Sequence, residues 1–389
     1  MKENLYIEGE HFTAIYVIAD EVVSVYVCEN SIKSKIIDFF KAIAFSDNKV
    51  KTHCTYSNRV LSTINIEVAK HCNLHCQHCY AAAERSDVEL MPLRSYNGIL
   101  EQISRLNYPV NLRITGGEPT LHTDILDICK LAVNSVESKT KHTLLTNGTF
   151  DPHLLQLLLD TGINIQISLY GTNYDDFYLF TFGNRRLFDN LMINMNSIPE
   201  SRKEQIILAI YNTSDRDKLN RCVEFASEKG FKYDISGVNV VGRAIENKNI
   251  IVQSRINYRK LILNNKLCET NRLCINTQGY VTPCPFLCRN KKYWMGNIYD
   301  NDLLDILNGP NFKEYDSYTI DDIPGCCNCP LKYICSGGCS AETENATGSR
   351  LSMFPRCELE RQFAKLDKGK IYKVEMYSPG NFDFNEITK

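Results

Sequence analysis

Apolar and polar positions alternate at the start of the chain. Leu5-Tyr6-Ile7, Thr13 to Ala19 and Val22 to Cys28 are β-branched and aromatic runs that predict three short strands. Ile36, Ile37, Phe40 and Ile43 then fall on one helical face behind Ser31, which predicts a capped helix over Ile32 to Ile43. Residues 1–59 thus read as a small leading unit. It is either a packing extension of the next domain or a module that grips a partner peptide.

From residue 60 the period changes. Strand-like runs occur at Ile64–Val68, Val110–Thr115, Thr143–Thr146, Asn164–Leu169, Gln205–Tyr211 and Tyr233–Val238. Amphipathic stretches separate them, among them Asp124 to Val136 and Asp215 to Lys229, the latter stopped by Gly230. Six β/α repeats over residues 60–260 predict an α/β fold with a parallel sheet. Six strands are too few for the eight-stranded barrel, so a partial, open (β/α)6 barrel is expected. Ligands then belong at the C-terminal ends of its strands. Over residues 261–360 periodicity fades and cysteine density rises, as in a region that gains its folding energy from metal. Residues 361–389 form a tail; a helix over Leu359 to Leu366 leads into it, and its polar end has no assigned role.

Composition narrows the chemistry. A formal net charge of −2 over 389 residues offers no footprint for nucleic acid or an anionic membrane. No run of eighteen apolar residues occurs, and Met1-Lys2-Glu3-Asn4 begins no signal-peptide pattern, so a cytoplasmic location is expected. The seventeen cysteines are the outlier. A disulfide scaffold would be short and secreted, whereas clustered thiols in a long chain without a signal peptide point to metal.

The densest cluster is Cys72-x3-Cys76-x2-Cys79, directly after the first barrel strand. Thiolates are the ligands of iron–sulfur clusters, and a cubane takes four. Three on one loop leave one iron open to another ligand. At the end of the second strand, Gly116-Gly117-Glu118-Pro119 provides a turn that approaches a ligand closely, with Glu118 as an acceptor for an ammonium group. Asn147 and the Gly242-Arg243-Ala244 turn also lie at strand ends on the catalytic side, with Asn147 and Arg243 as candidate cofactor contacts. Downstream come Cys268-x5-Cys274, Gly279-x4-Cys284, then Cys326-x2-Cys329-x5-Cys335-x3-Cys339 and Cys357. Spacings of this kind also build structural zinc sites.

The three-cysteine loop and its adjoining aromatic residue, with Gly-Gly-Glu-Pro one β/α unit later, resemble the radical S-adenosylmethionine (SAM) enzymes. The resemblance implies that Cys72, Cys76 and Cys79 hold a 4Fe–4S cluster whose fourth iron is chelated by SAM. It further implies that reduction splits SAM into methionine and a 5′-deoxyadenosyl radical, which abstracts hydrogen from substrate. Tyr80 then lies beside the adenine, Gly116, Gly117, Glu118 and Pro119 receive the methionine amino group, and Ser168 touches the ribose. Tyr170 stands where many relatives carry Asp. Behind this core the cysteine ladder resembles the SPASM extension, which carries two auxiliary 4Fe–4S clusters. That assigns Cys268, Cys274, Cys284 and Cys339 to one cluster and Cys326, Cys329, Cys335 and Cys357 to the other, three clusters in all.

Two positions stay open, Cys327 as the rival of Cys326 and Cys288 as a substitute for Cys284. Cys28, Cys54, Cys129 and Cys222 read as buried hydrophobes, with a thiol hydrogen donor, as in radical epimerases, the alternative for one of them. His71, His75 and His78 are expected to shape the cluster loop through hydrogen bonds. Relatives of this architecture look like maturases of ribosomally made precursor peptides, fed electrons by a flavodoxin or ferredoxin. The alternatives are a radical enzyme for a small molecule or tetrapyrrole, and a zinc-stabilised binding protein.

Overall fold

In the computed structural model the described residues are 2–19, 22–34, 50–51, 61–106, 108–135, 141–212, 215–247, 265–267, 271–378 and 381–387. The three leading runs form β1 (Lys2–Glu8), β2 (Phe12–Ala19) and β3 (Val22–Glu29), paired antiparallel with Leu5 opposite Tyr16 and Tyr16 opposite Val25. Alternation sends Ala14, Tyr16, Val25 and Val27 into one core and Ile15 and Cys28 to the other face. A 3-10 turn, Asn30–Ile32, comes next; most of the expected helix over 32–43 lies outside the described residues. β4 (Val50–Lys51) pairs parallel with β1.

The six barrel strands are β5 (Thr63–Ala69), β6 (Asn111–Gly116), β7 (Thr143–Thr146), β8 (Asn164–Leu169), β9 (Ile206–Asn212) and β10 (Lys232–Gly237). They lie side by side in sequence order, all parallel. Helices Leu93–Ser104, Ile125–Ser135, His153–Asp160, Arg185–Ser197 and Arg216–Glu228 fill the crossovers. The last is capped by Asp215, whose carboxylate accepts from the Lys218 amide at 2.9 Å. Ile64, Ile66 and Val68 of β5 pack into the same core as Tyr96, Ile99 and Leu100 of the first helix.

The sheet does not stop at β5. β11 (Arg272–Ile275) pairs parallel with it on the far side, Cys274 opposite Asn65, and β12 (Tyr280–Thr282) and β13 (Gly296–Asn297) extend the edge antiparallel. Asn65 Nδ2 donates to the Leu273 carbonyl at 3.0 Å across that seam. Within the cysteine-rich region, residues 272–297 thus add three strands to the sheet, which lost periodicity had hidden.

The polar tail is also ordered. Strands β14 (Ile371–Ser378) and β15 (Asn381–Glu386) form a hairpin, and β14 pairs antiparallel with β3, Val374 opposite Val25. Tyr372, Val374 and Met376 are its buried positions. The chain divides into two compact units, each built from segments distant in sequence. One joins residues 1–58 to 253–269 and 314–389; the other joins 59–252 to 270–313. Among the described residues no helix is long and apolar enough to cross a membrane.

In the first unit the buried phenol of Tyr16 donates to the Pro330 carbonyl at 2.6 Å. Tyr16→Phe strands that acceptor and should cost about 1–3 kcal/mol, lowering the midpoint of urea unfolding. An unchanged midpoint would show that the bond contributes nothing.

Candidate functional site

The Cys72–Cys79 loop leaves β5 at its C-terminal end and has no ladder of its own. Neighbouring segments supply its bonds. The amides of His75 and Gln77 donate to the carbonyls of Thr181 and Phe180 at 2.9 and 3.0 Å. Arg243 donates from its backbone amide to Cys79 O and from Nε to Cys76 O, both at 3.0 Å, and from Nη1 to Ala83 O at 3.0 Å and Glu84 Oε1 at 2.8 Å. The chain approaches so closely at Gly242 that a Cβ there would meet Cys79 O at 2.3 Å, and its φ of +57° is one few other residues adopt. Arg243 was placed at this end of the sheet by sequence; its part is to pin the loop.

The Gly-Gly-Glu-Pro turn clasps the start of the same loop. Glu118 N donates to His71 O at 2.9 Å, and a Cβ on Gly117 would lie 2.3 Å from that oxygen. Glu118 itself is 1 % exposed. Its Oε1 accepts from Thr120 N, Thr120 Oγ1 and Thr146 Oγ1 at 3.1, 2.6 and 2.7 Å, and Oε2 from Asn147 N at 2.7 Å. Burial pushes its carboxyl up, and these donors pull the other way. Two of these donors come from Thr120 in the turn itself, and the other two, Thr146 Oγ1 and Asn147 N, tie the turn after β6 to β7. Asn147 passes the brace on, donating from Nδ2 to Asn73 Oδ1 at 2.8 Å, with Cys72 Sγ at 3.9 Å.

Cys72 and Cys76 are buried and Cys79 half-buried. Burial, then the Glu118 charge, pushes the Cys72 thiol up to about 12; burial and the neighbouring thiols push Cys76 well above its usual value, and Arg243 opposes both. Such thiols become thiolates when a metal replaces their protons. Three of them on one pinned loop fit an iron–sulfur cluster with one iron open. Ser168 on β8 meets the phenols of Tyr170 and Tyr211, and the Tyr170 hydroxyl also reaches Cys76. Tyr80 turns an edge to Phe286, ring centroids 5.4 Å apart.

The histidines divide. His75 Nδ1 stands 3.3 Å from Glu84 Oε2, whereas His78 stacks on Phe180 at 4.8 Å with Tyr211 at 4.3 Å, and its Nδ1 has no hydrogen-bond partner. His78 is an aromatic packing group rather than a hydrogen-bonding one. Sequence reasoning missed the Phe180–Tyr211 cage around it because its members lie on different elements.

In the other unit Cys326, Cys329, Cys335 and Cys357 line one cavity of about 640 Å³, beside Pro330 and Phe354, and Cys327 is not among its lining residues. Four thiols lining one cavity fit a closed cluster. Of the other auxiliary set, Cys274 lies on β11 and Cys284 precedes the 3-10 turn Pro285–Leu287, both buried in the sheet-bearing unit. Cys339 precedes helix Ser340–Thr347 in the first unit, and Cys268 lies outside the described residues, as does Cys54.

Cys326→Ala should lose the iron of one cubane, about four atoms, and Cys327→Ala none, read by iron analysis of reconstituted protein; equal losses would sink the assignment. Burial, then Lys218 and Arg243, lowers His78 from 6.5 to about 3. The unfolded chain therefore takes up this proton below pH 6.5 and the folded one does not until about pH 3, so stability falls across that window. The loss is at most about 1.4 kcal/mol per pH unit. Urea unfolding of cluster-free protein should show it, and His78→Phe should flatten it.

Comparison with known proteins agrees with this geometry. Residues 66–246 match the model of the radical SAM superfamily, and residues 268–330 match that of SPASM, an iron–sulfur cluster-binding domain. A radical SAM cyclopropyl synthase, TigE of Paramaledivibacter caminithermalis, is 22% identical over 84% of this chain and 80% of its own. A GTP 3′,8-cyclase of Lactiplantibacillus plantarum is 24% identical over 58% of this chain and 80% of its own. Among solved structures, Streptococcus suis SuiB bound to its precursor peptide SuiA superposes with a TM-score of 0.59 at 16% identity, over 88% of this chain and all of SuiB. The enzyme anSMEcpe with bound SAM and a peptide gives 0.59 at 17%, over 77% of this chain and 95% of its own. These likenesses show the fold. Residues 66–246 are thus a radical SAM domain, and residues 268–330 a SPASM domain.

Proposed function

We propose that the protein is a radical SAM maturase that installs a carbon–carbon or thioether crosslink, or a related oxidation, in a ribosomally made precursor peptide. The observation that carries the radical part is the pinned loop with three thiols at the C-terminal edge of a parallel sheet, clasped by Gly117 and Glu118. The cluster held by Cys72, Cys76 and Cys79, with SAM on its open iron, would supply a 5′-deoxyadenosyl radical able to break an unactivated C–H bond.

The chain's own residues do the positioning. Arg243 and Asn147 hold the loop, and the Gly116–Pro119 turn would receive the methionine end. Ser168, Tyr170 and Tyr80 bound the space where the nucleoside would lie. Tyr170, in place of the acid many relatives carry, closes that space with a ring stacked on Tyr211 at 5.6 Å. The eight further thiols would hold two auxiliary clusters that take the electron released as the product forms. A flavodoxin or ferredoxin would deliver the reducing electron.

The peptide assignment is supported by two solved relatives, SuiB with its precursor and anSMEcpe with a peptide, each sharing the fold over most of its length. The second reading, a small-molecule radical enzyme, is favoured by the likeness to GTP 3′,8-cyclases. A short reading frame beside the gene would supply the peptide to test. Anaerobically reconstituted protein should carry about twelve irons and release 5′-deoxyadenosine with SAM and dithionite; Cys72→Ala should lose about four irons and the cleavage. With the adjacent peptide, mass spectrometry should find two hydrogens lost per bond formed. Cleavage of SAM without peptide conversion would move the assignment to the second reading. Zinc in place of iron, with no cleavage, would end both.

A further inference from the structure

Cys288 remains when the eight auxiliary thiols are counted, and the structure places it with care. β5 turns Ile64, Ile66 and Val68 into the core shared with the helices, so Asn65 and Glu67 face the opposite side of the strand. There Glu67, 0 % exposed, meets Cys274 of β11 and Cys288, with a carboxylate oxygen and both sulfurs all within 4.8 Å of one another. Cys288 Sγ donates its one hydrogen to Glu67 Oε1 at 3.5 Å, with the Cys274 sulfur inside the same 4.8 Å group. Arg289 Nη2 lies 3.3 Å from the same Glu67 oxygen. The other oxygen, Oε2, is buried without a partner. The backbone holds Cys288 at this point: its amide donates to Pro285 O at 3.2 Å, and Trp294 Nε1 donates to its carbonyl at 3.1 Å. Trp294 is itself fixed by stacking on Tyr280 at 3.8 Å.

We propose that Cys288 is a positioning thiol whose one hydrogen, held by Glu67 in the metal-free chain, turns to the sulfur of Cys274 once that sulfur is a metal-bound thiolate, and so links the auxiliary centre held there to the buried Glu67–Arg289 pair. This rests on the reading of Cys274 as a cluster ligand. A metal-bound thiolate has lone pairs and no proton, so of the two sulfurs only Cys288 has a hydrogen to give. A donor on a ligand sulfur withdraws charge and favours the reduced centre. Glu67 acts in the opposite sense, because an added electron beside a buried anion costs Coulomb energy that Arg289 offsets only in part. The thiol and the carboxylate therefore bias one centre in opposite directions.

Opposite signs are the test, since a packing role produces neither. In the reconstituted full-length protein, redox titration monitored by EPR would identify the wave of this centre by its loss in Cys274→Ala. Cys288→Ala should keep its iron and shift that midpoint negative, by about 59 mV if the reduced-to-oxidised ratio falls tenfold. Glu67→Gln should shift it positive, and Cys288→Ser should recover part of the alanine shift. The wave of the Cys72–Cys79 cluster should stay in place in all three, which guards against misfolding. Unchanged midpoints, or shifts of one sign, would overturn the proposal. Loss of iron in Cys288→Ala would also overturn it, by making Cys288 a ligand. Retention of all iron in Cys274→Ala would instead overturn the ligand assignment on which the proposal stands.

Discussion

A loop with three thiols and no hydrogen-bond ladder can be fixed only from outside. The architecture of the sheet-bearing unit meets that requirement. Parallel strands bring all their C-terminal ends to one edge, and most of those ends contribute an anchor. β6 ends in the turn that holds His71 O, β7 in Asn147, and β10 leads to Gly242 and Arg243. Helix Tyr174–Thr181, after β8, offers the carbonyls of Phe180 and Thr181. Arg243 suits its place because its guanidinium carries five donors in a rigid fork and a charge that persists when buried. A lysine there would bring the charge without the geometry.

Two buried carboxylates, one on β5 and one in the turn after β6, show how differently the unit treats such groups. Glu118 has four donors around it. Glu67 shares one oxygen between a thiol and a guanidinium and leaves the other unbonded. An unpaired acceptor in a buried setting is expensive to keep, and burial holds the Glu67 carboxyl above its usual value. A sequence pattern cannot separate the two, since each is one acid at the end of one strand.

The parallel core was legible in the sequence because its strands and helices carry clear, alternating periods; the barrel strands appear within a residue or two of where those periods place them. The cysteine loop was legible through spacing alone. What could not be read depended on partners far along the chain. β11 comes after residues with no period and gains its place by pairing with β5. Ile371 to Ser378 alternates Tyr372, Val374 and Met376 with polar residues, a strand signal weakened by its charged neighbours and by the absence of a local mate. The position of His78 among Phe180, Tyr170 and Tyr211 was beyond any local rule, because three different elements meet there.

The seam between β3 and β14 also bears on how the protein is made. Tyr16 bonds to Pro330 across 314 positions, and β3 pairs with a strand later still. Closing so long a loop delays a contact. During synthesis β1 to β3 emerge early and must wait, with the β3 edge bare, while the residues of the barrel strands are made and fold on contacts closer in sequence. A bare edge is an aggregation hazard. The β14–β15 hairpin is therefore a latch that shuts after the rest of its sheet exists, and production of this protein is most vulnerable before it closes.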